Sequence, residues 1–124
     1  EIVAVTKKMT IAEIEKQILK SGHTRMPVIG ESLDDIVGVV HAKDLLQYGP
    51  EMQSLALPED SIRELVIVPP DMTQEDALLL MRRNRNHLVV LQNPVSQTVG
   101  LLTMEDVVEE LVGEFEDETD VDFL

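Results

Sequence analysis

The residues best suited to chemistry lie in one short stretch, residues 100–106, which reads GLLTMED. Thr103 offers a hydroxyl group, and three positions later Asp106 offers a carboxylate with two acceptor oxygens. A threonine just before a helix caps its first turn, and an acid three residues on is typical of a capping box. A helix start also favours phosphate, because its N–H groups and dipole present positive charge. On local grounds the stretch is a plain helix cap, and the rest of the chain decides whether it does more.

The same pattern occurs 62 residues earlier, where residues 38–44 read GVVHAKD. Upstream, HTRMPVI from His23 parallels RNHLVVL from Arg85 at the same offset, and IVAVTKKMT parallels LVIVPPDMT at an offset of 63. One residue inserted at a helix–strand junction would explain the change of offset. The match predicts an internal repeat with two copies in one consistent order.

Each copy is predicted to contain a strand, a helix, two strands and a closing helix. Both first helices follow a threonine, and apolar residues recur in them at helical spacing. One copy of about 50 residues could hardly bury its own core, so we expect two copies packed sheet against sheet with pseudo-two-fold symmetry. The predicted class is α+β, or α/β in its wider sense. The predicted strands are 2–5, 26–29, 36–40, 65–68, 87–91 and 98–102.

The closing helices are predicted to begin after His41 and Thr103. The second of them carries an apolar stripe, which includes Val107, Val108, Leu111, Val112 and Phe115. The predicted boundaries place the first repeat at 1–47, a linker at 48–61 with a short helical turn at 61–64, the second repeat at 62–113 and an acidic tail at 114–124.

Composition excludes several classes of protein. The chain has 124 residues and 44% apolar residues, which suits a folded core, and it has no cysteine for a disulfide or a thiolate metal site. Its net charge of −14, with ten acids and no Lys or Arg in residues 105–124, opposes binding to nucleic acid. No apolar run approaches a membrane span of about 18 residues. Because the chain begins with Glu1, we expect a fragment whose membrane segment lies outside it.

The two copies, each ending in Gly-aliphatic-aliphatic-x-x-x-Asp, resemble a tandem pair of CBS domains, a Bateman module. The stretches SGHTRMPV and TMEDVVEELVGE resemble more narrowly the CorC/HlyC-type magnesium and cobalt efflux proteins. This resemblance implies a cytoplasmic regulatory module, and not an enzyme, attached to an inner- or plasma-membrane transporter. It also implies binding of an adenine nucleotide, ATP or AMP, with Mg²⁺ as a candidate companion. Two departures are the turn QNPVSQ and the lack of the family's Met-x-Pro-Arg stretch.

The resemblance implies a nucleotide cleft with one wall from each copy. In the second copy, Asp106 has the shape to accept a ribose diol, Thr103 would meet phosphate, Gly100 would allow close approach and Leu101 would lie against the base. In the first copy, Arg25 is the phosphate fork, since guanidinium matches phosphate oxygens bidentately. The other first-copy candidates are His23, Thr24, Met26, Pro27, His41 and Lys43.

A second nucleotide position around Asp44 is less favoured, because His41 replaces the hydroxyl residue of the motif. The resemblance implies a homodimer through the CBS helices, with the apolar stripe as a plausible seam. Two alternatives stay open: a structural dimerisation module with a degenerate cleft, and direct cation sensing by residues 114–122. The three histidines are not at metal-ligand spacing, and for His87 we expect a structural hydrogen bond.

Overall fold

The computed structural model describes the backbone of residues 3–123 and the side chains of residues 3–113. The chain forms two compact units, Glu1–Leu65 and Val66–Leu124. The segment 48–61, predicted as a linker, is therefore grouped with the first unit. None of the helices in the described residues combines the length and apolar character needed to cross a membrane. Ile2 of the first predicted strand lies outside the described residues.

The first unit holds a three-stranded sheet in the order β1-β2-β3, with β1 parallel to β2 and β2 antiparallel to β3. Its elements are β1 (Val5–Thr6), α1 (Ile11–Ser21), β2 (Arg25–Ile29), β3 (Ile36–His41) and three 3₁₀ helices, Ala42–Gln47, Pro50–Met52 and Glu59–Ser61.

Two helix predictions in this unit are wrong in detail. The closing segment Ala42–Gln47 is a 3₁₀ helix, and the predicted turn at 61–64 is replaced by the earlier 3₁₀ turn Glu59–Ser61. Gly49 and Pro50 follow the closing segment after only one further residue. A residue before proline is disfavoured in the α conformation, so the segment is too short for a stable α-helix.

Helix α1 forms where the pattern predicted it. Thr10 Oγ1 accepts the Glu13 N–H at 3.2 Å, and Glu13 Oε1 accepts the Thr10 N–H at 2.9 Å, a complete capping box. Ile14 and Ile18 are buried on the inner face, whereas Leu19 is 83% exposed. The core of the unit consists of Val5, Ile11, Ile14, Ile18, Met26, Val28, Val40, Leu45 and Leu57.

The second unit repeats this plan with a sheet in the order β4-β5-β6. Its elements are β4 (Val66–Val68), α2 (Gln74–Asn84), β5 (Leu88–Gln92), β6 (Thr98–Thr103) and α3 (Met104–Phe123). The backbone of α3 continues through the stretch predicted as a tail. The core is formed by Val68, Ala77, Met81, Val89 and Val107, with Leu102 and Leu111 packed against it.

The strand registers correct the predicted alignment of the two copies. Met26 pairs with Val40 in the first hairpin, and Val89 pairs with Leu102 in the second. The first strands of the hairpins therefore correspond at an offset of 63, and the second strands at 62. The extra residue of the first copy lies in the hairpin turn, not at the helix–strand junction. As a result Arg25 corresponds to Leu88.

Helices α1 and α2 end in the same left-handed conformation on different residues. Gly22 has a φ of 76°, and Arg85 at the corresponding position has a φ of 53°. Glycine adopts this conformation without the steric cost that a Cβ adds.

We therefore expect Arg85→Gly to raise the free energy of unfolding by about 0.5–1 kcal/mol. The matched control, Gly22→Ala, should lower it by a similar amount, because a Cβ at Gly22 would meet no atom within 4 Å and only the backbone strain is added. Urea denaturation measures both. A loss of stability in Arg85→Gly would contradict this reading of the cap.

The two equivalent glycines of the repeat, Gly38 and Gly100, differ in how closely neighbouring atoms pack against them. Arg63 exchanges two backbone hydrogen bonds with Val39, at 2.9 and 2.8 Å, so the segment after the last 3₁₀ turn lies along β3. A Cβ on Gly38 would collide with the Ile62 side chain and lie 2.6 Å from the Arg63 carbonyl oxygen. A Cβ on Gly100 would meet only Leu91 Cδ1, at an ordinary 3.5 Å.

Gly38→Ala is expected to cost about 1–3 kcal/mol of stability, the usual range for overpacking. Gly100→Ala should leave stability within about 1 kcal/mol of the wild type, because there is room for the methyl group. Chemical denaturation of the two variants tests this difference. Equal losses would show that the contacts along β3 do not distinguish the two positions.

Candidate functional site

Three of the predicted first-copy residues meet at one end of the β2–β3 hairpin. Arg25 lies opposite His41 in the strand register, and the Lys43 N–H donates to His41 Nδ1 at 3.0 Å. The Thr24 carbonyl accepts the Ala42 N–H at 2.8 Å and closes the junction. His41 thus takes over the cap that a serine or threonine would provide. Because Nδ1 is an acceptor here, the ring hydrogen of neutral His41 lies on Nε2.

The charges around His41 favour its neutral form. Burial lowers the pKa of His41, and the cations Arg25, Arg63 and Lys43 lower it further, while Asp44 opposes them in part. Hydrogen bonds from Arg63 hold the pKa of Asp44 below its ordinary value. Three cations, Arg25, Lys43 and Arg63, therefore lie around His41 in a chain of net charge −14, and Arg63 is paired with Asp44.

This electrostatic arrangement predicts a pH dependence of folding. Since the folded-state pKa of His41 is lowered, its stabilising contribution is complete above the ordinary pKa of 6.5 and is lost as the pH falls from there through the folded value. Protonation also removes the Nδ1 acceptor of the cap. We expect wild-type stability to fall more steeply between about pH 6.5 and 5 than that of His41→Thr, whose cap does not titrate. Denaturation curves across that range measure the difference, and parallel profiles would refute it.

The predicted second-copy residues gather at the corresponding end of the second hairpin. Thr103 ends β6, and its Oγ1 accepts the Asp106 N–H at 3.1 Å, so the expected cap is present. Leu102 packs into the core of this unit. Its neighbours Leu101 and Thr103 therefore lie on the opposite face of the sheet, because successive side chains alternate along a strand. Asp106 is exposed in the first turn of α3.

The remaining first-copy candidates do not all fit their expected roles. His23 and Thr24 are exposed in the turn after α1. Met26 is completely buried in the core of the first unit, so it cannot cover a base as predicted. Pro27 is also buried, but it points to the other face of the sheet.

Sequence reasoning missed Arg63. Its Nε donates to Asp44 Oδ2 and its Nη2 to Asp44 Oδ1, both at 2.8 Å, in a bidentate ion pair. One signal was available, because Arg63 is the only Lys or Arg between Lys43 and Arg82. The pattern could not show which acid it would meet, since the two partners lie 19 residues apart.

His87 makes the structural hydrogen bonds that we expected. Its Nδ1 lies 3.0 Å from Glu105 Oε1, and its carbonyl oxygen accepts the Met104 N–H at 2.8 Å. Within the described residues, no group of three or more histidine or acidic side chains is arranged to hold a metal ion. The acidic side chains of residues 114–122 lie outside that part of the chain.

Comparison with known proteins identifies the family. The CBS domain model matches residues 1–51 and 59–113. The chain belongs to the CBS domain family. The two matches correspond to the two copies of the repeat, so the chain is a tandem CBS pair.

Relatives narrow this assignment. A UPF0053 protein from Mycobacterium tuberculosis is 38% identical over 127 residues, covering 97% of this chain and 28% of the relative. A hemolysin C homolog from Rickettsia rickettsii is 36% identical over 121 residues, covering 97% of this chain and 40% of the relative. The CBS pair thus spans well under half the length of these curated relatives.

A solved structure is matched over a larger share of its own length than these relatives are. The CBS domain of the bacterial CNNM/CorC family Mg²⁺ transporter, solved in complex with ATP, superimposes with a TM-score of 0.86 at 34% identity, covering 91% of this chain and 80% of that one. The CBS pair therefore belongs to the CNNM/CorC group. A CBS-domain pair from Klebsiella pneumoniae, with a TM-score of 0.71 at 23% identity over 90% of each chain, shares the fold.

Proposed function

We propose that this CBS pair is a regulatory adenine-nucleotide-binding module, without catalytic activity, of a membrane divalent-cation transporter. The observation that carries the proposal is the end of the second hairpin, where the Thr103 cap and the Asp106 carboxylate stand together at a helix start. The 34% identical relative that binds ATP supports the choice of ligand.

Each of these groups binds a different part of the nucleotide. The Asp106 carboxylate accepts hydrogen bonds from the two ribose hydroxyls. The Thr103 hydroxyl accepts a backbone N–H and retains its own hydrogen, which it donates to a phosphate oxygen. The start of α3 favours the same negative charge. Leu101, on the sheet face that carries Thr103, packs against the base. Gly100 lies on the opposite face with Leu102, where a Cβ would meet only Leu91.

The end of the first hairpin gathers donors of the kind that bind a polyphosphate. Arg25, Lys43 and the Nε2–H donor of His41 lie together at the end of the first hairpin. Neutral His41 suits this role, because it donates a hydrogen bond without adding to the charge of the cations. His23 and Thr24 are the further donors of the turn. Mg²⁺, where it accompanies ATP, is held by the phosphates in this proposal.

Regulation follows if the nucleotide binds one arrangement of the transporter better than another. A ligand shifts such an equilibrium only by its differential affinity for the two states. We also propose a homodimer through α3. The predicted stripe divides into two parts: Val107 and Leu111 pack inward, whereas Val108 and Val112 are 41% and 49% exposed and are available to a second copy. Phe115 lies outside the described side chains.

The decisive experiment is calorimetric titration of ATP, ADP and AMP, with and without Mg²⁺, on the wild type and on Asp106→Ala. Removing a carboxylate that accepts two hydrogen bonds should weaken binding about ten-fold or more. The matched control is Asp76→Ala, because Thr73 Oγ1 accepts the Asp76 N–H at 3.2 Å in the same local arrangement.

The control variant should bind like the wild type. Absence of binding heat with every nucleotide would reject the proposal and favour a purely structural dimerisation module. Equal weakening in Asp106→Ala and Asp76→Ala would show that only helix stability had been perturbed. Magnesium heat that survives Asp106→Ala but disappears on removal of residues 114–124 would favour cation sensing by that segment.

A further inference from the structure

The motif aspartate of the first copy already has a ligand from its own chain. Both oxygens of Asp44 accept hydrogen bonds from the Arg63 guanidinium, each at 2.8 Å. The Asp44 side chain is only 18% exposed, so the pair covers most of the carboxylate. Asp44 corresponds to Asp106 in the repeat, and it is the group that a ribose would use in a second nucleotide position.

A guanidinium and a ribose diol compete for the same groups. Each presents two donors, side by side, to the two oxygens of one carboxylate. A ribose at Asp44 must therefore displace Arg63 or accept poorer geometry. A bidentate pair is the strong form of the arginine–carboxylate interaction, whereas hydroxyl donors are uncharged.

Arg63 is also held in place independently of Asp44. Its backbone N–H and carbonyl both bond to Val39, and the tight packing over Gly38 fixes this part of the chain. Two residues earlier, buried Ser61 hydrogen-bonds to the hydroxyl of Tyr48 and accepts from Gln47 Nε2 at 3.2 Å. With its backbone fixed, Arg63 loses less conformational entropy when it pairs with Asp44 than a mobile arginine would.

We propose that Arg63 is a specificity-determining residue that occupies the ribose-binding carboxylate of the first copy and so limits the chain to one adenine nucleotide. This inference rests on the proposed function, because it assumes that the second-copy motif binds the nucleotide. The replacement of the motif hydroxyl by His41 acts in the same direction, since the first motif then lacks the hydroxyl donor that Thr103 provides in the second.

Equilibrium dialysis with labelled ATP and Mg²⁺ counts the sites on the intact chain. We expect one ATP per chain for the wild type, and still one for Asp44→Asn, with affinity changed less than three-fold. Arg63→Met keeps the aliphatic stem and removes the guanidinium, and it should raise the count to two. The double variant Arg63→Met/Asp44→Asn should return it to one. Arg82→Met, which removes an exposed positive charge from α2, is the matched control and should stay at one.

A count of one for both the wild type and Arg63→Met, with matching circular dichroism spectra, would overturn the inference. A wild-type count of two that falls to one in Asp44→Asn would overturn it as well. If Arg63→Met fails to fold, Arg63→Gln takes its place, and the wild type offers a direct measurement. The Arg63 Nε–H signal in a ¹⁵N spectrum should be unchanged by saturating ATP, and its loss on ATP addition would mean that the nucleotide displaces the pair.

Failure of the proposed function gives a different result. If the wild type binds no ATP but Arg63→Met binds one, the nucleotide role of the second copy is wrong and the role of Arg63 stands. If neither binds, both are wrong.

Discussion

Each half of this chain depends on one local constraint, the passage from the last strand of a hairpin into a helix. The first N–H groups of a helix have no partners within it and must be satisfied there. The first copy uses the Thr24 carbonyl and His41 Nδ1 for this purpose, and the second uses the His87 carbonyl and Thr103 Oγ1. A cap of this kind is worth about 1 kcal/mol. The same requirement creates a place where negative charge is favoured, so folding and the proposed nucleotide binding depend on one arrangement.

Most of the fold could be predicted from the sequence because the same local signals occur in both copies of the repeat. Capping threonines, apolar spacing and turn breakers act over a few residues, and each of them was satisfied in the structure. The errors have local causes too. A nearby Gly49-Pro50 shortened the closing helix of the first copy, and one extra turn residue shifted the alignment of the hairpins, which no periodicity in the strands could reveal.

The candidate site was predictable where it depended on the motif and not where it depended on contacts. Thr103 and Asp106 lie three residues apart, and their relation follows from helix geometry. Met26 was misassigned because the face on which a strand residue lies depends on its register, and a shift of one residue reverses it. Arg63 could not be assigned, because its partner is chosen by the path of the segment along β3.

Covalent connection explains why two similar copies acquire different properties. The segment that joins them must leave from the end of the first copy, so its residues are at high effective concentration near the first motif. Tyr48, Ser61 and Arg63 use that proximity to bind the segment to the first unit. As a result, Ile62 and the Arg63 backbone pack directly against Gly38. The equivalent Gly100 has no such neighbour, and a Cβ there would meet only Leu91. The two motifs are therefore unequal in this structure, because Arg63 of the connecting segment is paired with Asp44.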